Sequence, residues 1–99
     1  FARFVLDDMR ALQQTADSAT LTVDCPAFMA TYDGLDRHLA RGAEASAWAQ
    51  QVIDASSLIY ARCQNSLTPH VGFEDALSDF LDWENTLRQL ASDLESQLQ

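Results

Sequence analysis

Apolar residues recur along this chain at the 3.6-residue period of amphipathic helices, in four separate segments. The first spans about Ala2 to Ala16, with Phe4, Val5, Met9, Leu12 and Ala16 on one stripe and Asp7, Asp8 and Arg10 turned away from it. Thr15 to Thr22 is rich in Ser, Thr and Asp, and the helix is expected to fray or turn there. The second segment opens at Asp24-Cys25-Pro26. Pro suits a first helical position and pushes the residue before it out of helical geometry, so Cys25 is placed at the helix lip. Phe28, Tyr32, Leu35 and Leu39 share one face, with Met29 beside it. Gly34 weakens this helix by roughly 1 kcal/mol relative to Ala, and Gly42 supplies the left-handed residue that closes it.

The third segment, about Glu44 to Asn65, carries Trp48, Val52, Ile53, Ile59 and Cys63 at helical spacing, flanked by Leu58 and Tyr60. Ser66 to Gly72 reads as a linker. From Phe73 onward, Phe73, Leu77, Phe80, Glu84, Leu87, Ala91, Leu94 and Leu98 alternate spacings of four and three, a heptad seam with one polar interruption at Glu84. Leu81, Trp83 and Leu90 widen that seam, as suits a helix packed on more than one neighbour. The expectation is one domain over residues 1–99: all-α, an up-and-down antiparallel bundle of about four helices, more than ~60% helical and without strand, against ~30–35% helix in an ordinary domain.

The two cysteines sharpen this picture. If the second and third segments form a hairpin across Gly42, Cys25 and Cys63 lie 17 and 21 residues from the turn. At ~1.5 Å per residue, with the third helix starting just past the turn, their levels agree within about one helical turn. A Cys25–Cys63 disulfide is therefore expected, and with it an oxidising compartment, periplasmic or extracellular.

Charge adds a second constraint. Net charge is −9, and residues 43–99 carry nine acids against Arg62 and Arg88. That balance opposes binding to nucleic acid or to an anionic membrane surface, both of which are held by Lys and Arg. All six basic residues are Arg, the footprint of a GC-rich bacterial coding sequence. No apolar stretch reaches the ~20 residues needed to span a bilayer. The chain opens Phe1-Ala2-Arg3-Phe4 without Met, which reads as a processed product.

Candidate chemistry is sparse. His38 and His70 lack ligand partners at helical spacing and are assigned capping or surface roles, so no metal is expected. A Cys63–His70 nucleophile pair would lose its thiol to the disulfide, and Asp75, Asp79 and Asp82 read as solvated acids on one outer helix face. Met9 and Met29 read as core residues, so no haem or other cofactor is expected. Glu84 is expected to reach water at an edge or to pair with Arg88 one turn on.

What remains is recognition. Trp83, set among Asp79, Asp82 and Glu84, resembles an apolar interface anchor within an acidic surround. The expected function is that of a non-enzymatic, acidic protein-binding module of the bacterial envelope, of secretion-accessory, immunity or inhibitor type. Its partner surface, Asp75, Asp79, Asp82, Trp83 and Glu84, would engage a basic or amphipathic protein. A homodimer through the fourth helix is a further option. The alternative readings are a cytosolic regulator or antitoxin-like inhibitor with reduced cysteines and, further off, a small-ligand-binding bundle.

Overall fold

In the computed structural model, which describes residues 1–99, the apolar periodicity becomes four helices: α1 (Ala2–Gln14), α2 (Cys25–Gly34), α3 (Ala43–Gln64) and α4 (Leu77–Gln97). With two 3₁₀ turns, helical residues make up 76% of the chain. α1 packs on α2, α3 and α4, and α3 packs on α2 and α4. Successive helices run in opposite directions. Arg62 near the end of α3 pairs with Asp75 just before α4, and Ser56 further back on α3 meets Trp83 further along α4.

The expectation of no strand is overturned. Ala16–Asp17 (β1), Thr22–Asp24 (β2) and His70–Gly72 (β3) form a small antiparallel sheet in the order β1-β2-β3. Each strand is two or three residues long, too short for alternation to register in the sequence. Thr22 and Val23 pair with Asp17 and Ala16 inside the α1–α2 connection, and Val71 joins them because the α3–α4 connection lies alongside. Thr15 stops α1 by turning its hydroxyl onto the Leu12 carbonyl at 2.7 Å. Asp17 then accepts from the backbone of Ala19 (2.9 Å) and Thr20 (3.3 Å), an Asx turn that reverses the chain. Leu21, at φ 55°, is the one non-glycine residue in the left-handed region, and its carbonyl accepts from Phe73 N–H at 2.9 Å.

α2 begins where Asp24 caps it, accepting from Ala27 N–H at 3.3 Å, with Pro26 in the first turn. It ends earlier than its apolar pattern suggests: after Gly34 the chain tightens into a 3₁₀ turn, Leu35–Ala40. Residues three apart eclipse in such a turn. His38 therefore follows Leu35 into the core, fully buried, while Leu39 swings outward. Gly42, at φ 104°, closes the hairpin as expected.

The cysteine expectation holds. Cys25, the first residue of α2, and Cys63, in the last turn of α3, are joined with their Cα atoms 5.4 Å apart.

The core seams differ in detail from the apolar pattern. α3 buries Ala45, Ala49, Val52, Ser56, Ile59 and Cys63, a strict alternation of four and three in which half the residues are small. Trp48 and Ile53, placed on that stripe from sequence, sit at its edges, half-buried. α1 buries Val5, Leu6, Met9 and Leu12, while Phe4 projects. On α4 the 3₁₀ turn Glu74–Ala76 delays the helix, and the seam becomes Phe80, Trp83, Leu87, Ala91 and Leu94. Leu77 and Leu98 are left exposed.

Replacing both Cys25 and Cys63 with Ala should lower unfolding free energy by about 4 kcal/mol, the chain-entropy value for a loop of this length, in urea denaturation followed by circular dichroism. The helical signal of the folded variant should persist, because the helix seams bury independently of the bridge.

Candidate functional site

The surface expected to meet a partner is built on α4, and the structure divides it into parts facing different ways. Asp75 belongs to a local clamp. Arg62 from α3 pairs with its carboxylate and donates to the Gly72 carbonyl from Nε (3.1 Å) and Nη2 (2.8 Å). The same guanidinium lies 4.8 Å from the Phe73 ring centroid. Arg62 thus ties the end of α3 to the entry of α4.

Trp83 corrects the reading of it as an interface anchor. It is 3% exposed, donates from Nε1 to Ser56 Oγ at 3.0 Å, and meets Phe28 and Phe80 edge-on at 5.7 and 6.0 Å. A buried indole needs a partner for its N–H, and Ser56, small enough to sit on the α3 seam, supplies it. The physical cause lies in one step of the α4 seam: from Phe80 it advances three residues and then four to Leu87, where the heptad advanced four and then three, while Phe80, Leu87, Ala91 and Leu94 keep their places. Trp83 takes the inward place that the heptad gave to Glu84, and Glu84 moves to the flank beside α1.

There Glu84 accepts from Ser18 Oγ at 2.7 Å. It does not pair with Arg88, whose Nη1 donates to Asn85 Oδ1 at 3.0 Å. Asp79 and Asp82 lie on the opposite flank, toward α3. With Ala55, Leu58, Ile59, Thr86 and the edge of Trp83 they line a shallow groove of about 150 Å³. An adjoining hollow of about 310 Å³ shares Leu58, Ile59 and Asp79 and extends the groove past Arg62 to Asn65 and Phe73. Neither Asp79 nor Asp82 is in an ion pair. Leu58, read from sequence only as flanking the α3 stripe, stands 66% exposed at the centre of this groove. A leucine outside the buried seam on a long helix facing a second helix is the signal that marks it.

Against this groove, the remaining clusters are internal. Asp8 on α1 holds two partners from the 3₁₀ turn: His38 Nε2 at 2.7 Å and Arg37 Nη2 at 2.9 and 3.1 Å. His38, assigned a capping or surface role from sequence, is fully buried, and its Nδ1 has no hydrogen-bond partner. Without exposure or a neighbouring nucleophile, the Asp8–His38 pair acts as a tie between α1 and the turn. No three His, Cys, Asp or Glu side chains converge in a metal-holding arrangement, and no helix is long and apolar enough to cross a membrane. Comparison with protein-family models, curated proteins and solved structures finds no match for this chain.

Between α2 and α3, Tyr32 and Tyr60 stack with ring centroids 4.3 Å apart. Burial, followed by the negative field of Asp36, Asp54 and Asp33, raises the Tyr32 hydroxyl above its ordinary value. Hydrogen bonding to Asp33, then desolvation, raises that of Tyr60.

Two outcomes follow for solution measurements. Trp83→Ala should cost about 3–5 kcal/mol of stability, as for other large core aromatics, whereas Trp83→Phe, which keeps a ring in place but leaves the buried Ser56 hydroxyl without its partner, should cost less, about 1–3 kcal/mol; urea denaturation ranks the two. Ultraviolet titration should find both tyrosines ionising above pH ~10. Because the folded values are raised, their contribution is fully present below the unfolded value and is lost as pH climbs from there through the folded value, so stability should begin to decline above about pH 10.

Proposed function

We propose that this chain is a non-enzymatic, acidic protein-binding module of the bacterial envelope, of secretion-accessory, immunity or inhibitor type, whose partner is basic or amphipathic. The observation that supports this most is the unneutralised charge along α4 and its approach. Of the seven carboxylates between Phe73 and Gln99, Asp75 and Glu95 are paired with arginines, and Glu74, Asp79, Asp82, Glu84 and Asp93 are in no ion pair. Packing gives no reason to hold four such acids on α4 and a fifth in the turn before it, since like charges at helical spacing repel by a few tenths of a kcal/mol each. A positively charged partner would gain association rate from that field. The Cys25–Cys63 bridge supports the envelope, because such bonds persist in oxidising compartments.

The test compares the protein with a variant carrying Glu74→Gln, Asp79→Asn, Asp82→Asn and Asp93→Asn, four exposed positions whose neutralisation leaves the core untouched. Partners captured from an envelope extract by the wild type are purified and their association kinetics recorded. The captured partner should present a basic or amphipathic surface, and neutralisation should slow its association by about tenfold at low salt, with the difference vanishing as salt rises. Equal association rates for the two proteins at every salt concentration would remove the reading.

A further inference from the structure

Resting on the protein-binding reading above, we infer that the groove between α3 and α4 receives one amphipathic helix of about three turns. Its apolar stripe lies on Leu58, exposed at the centre of the groove, with Ala55 beside it, and Arg or Lys on its flank faces Asp79 and Asp82. The argument begins with shape. A trough between two antiparallel helices accepts a further helix along its length, with apolar anchors at i, i+3 or i+4, and i+7. Its floor runs from Ala55 to Asn65 on α3 and from Asp79 to Thr86 on α4, which at ~1.5 Å per residue is about 10–15 Å, or two to three helical turns. Strand addition is the weaker fit, because the outer strands of the sheet are Ala16–Asp17 and His70–Gly72 and offer few backbone groups.

Charge commits the occupant. Asp79 and Asp82 are exposed on the rim and have no ion-pair or side-chain hydrogen-bond partner, while the one cation of the groove, Arg62, is engaged by Gly72, Asp75 and Phe73. The rim therefore complements a basic flank and repels an acidic one. The other prominent exposed aromatic pair on the molecule, Phe1 and Phe4, already carries the Arg41 guanidinium over both rings, at 5.4 and 5.6 Å. Leu58 has no such cover.

The experiment uses the intact, disulfide-bonded chain, ¹⁵N-labelled, titrated with a synthetic amphipathic helical peptide that bears Leu on one stripe and Arg on the flanks. A matched peptide with Glu in place of Arg is the control. The amides of Ala55, Leu58, Asp79, Asp82 and Thr86 should shift together on addition of the Arg peptide and stay still with the Glu peptide. Leu58→Asp should weaken binding by at least about tenfold, the loss of a central apolar anchor. Asp79→Asn with Asp82→Asn should weaken it about three- to tenfold at low salt and little at high salt. Leu81→Asp, at a 42% exposed leucine of α4 outside the groove, should bind as wild type.

Binding of the Arg peptide with shifts mapping elsewhere, and with Leu58→Asp at wild-type affinity, would overturn the groove and leave the protein-binding reading standing. Failure of the Arg peptide to bind at all, or equal binding of both peptides, would overturn the groove and the basic-partner reading together. The shift map of the wild-type chain decides the matter even if a variant folds poorly.

Discussion

The bond between Cys25 and Cys63 sits where four features of the fold converge. It joins the first residue of α2 to the last turn of α3, and the next backbone group along, Cys25 N–H, donates to the Pro69 carbonyl at 2.8 Å. β2, immediately before Cys25, pairs with β3 from the α3–α4 connection and with β1 from the end of α1. One end of the bundle is thus closed by a covalent bond and a three-stranded sheet acting on the same connections. The opposite end relies on side chains: Asp8 with Arg37 and His38, and Arg41 over Phe1 and Phe4. A core of 19 buried apolar residues is modest for 99 residues, and closing a loop of 38 residues removes much of the unfolded chain's freedom.

The helical architecture and the disulfide were legible because each rests on local rules. Periodicity places the segments, Pro26 and Asp24 mark the start of α2, Gly42 marks the turn, and the two Cys counts agree across it. What was not legible depends on tertiary context. The third strand joins only because two distant connections meet, and the β1–β2 hairpin beside it is too short for its alternation to show. His38 is buried because the chain after Gly34 tightens into a three-residue repeat, which rotates His38 inward and Leu39 outward.

The candidate surface shows the same division. Its acidity is plain in the composition, but its shape turns on which of Trp83 and Glu84 takes one inward place on α4. With Trp83 inside and Glu84 on the α1 flank, the five residues read as one patch become an Arg62 clamp at Asp75, a core indole at 83, and carboxylates on two different flanks. The apolar component of the surface then comes from α3, at Leu58. The small residues Ala45, Ala49 and Ser56 on the α3 seam draw no notice in a hydrophobicity pattern, yet they make room for large partners such as Trp83.

The arginines, too, have a consequence beyond their own contacts. Arg10, Arg37 and Arg62 are tied to carboxylates, Arg41 to aromatic rings and Arg88 to Asn85. Positive charge here is spent almost wholly inside the molecule, as joints between its own elements, while much of the negative charge is left facing outward. Two copies approaching in dilute buffer therefore present the same sign to each other from most directions. In colloidal terms each copy carries a field of one prevailing sign, which opposes the encounter of two acidic α4 faces at low ionic strength and which added salt relaxes.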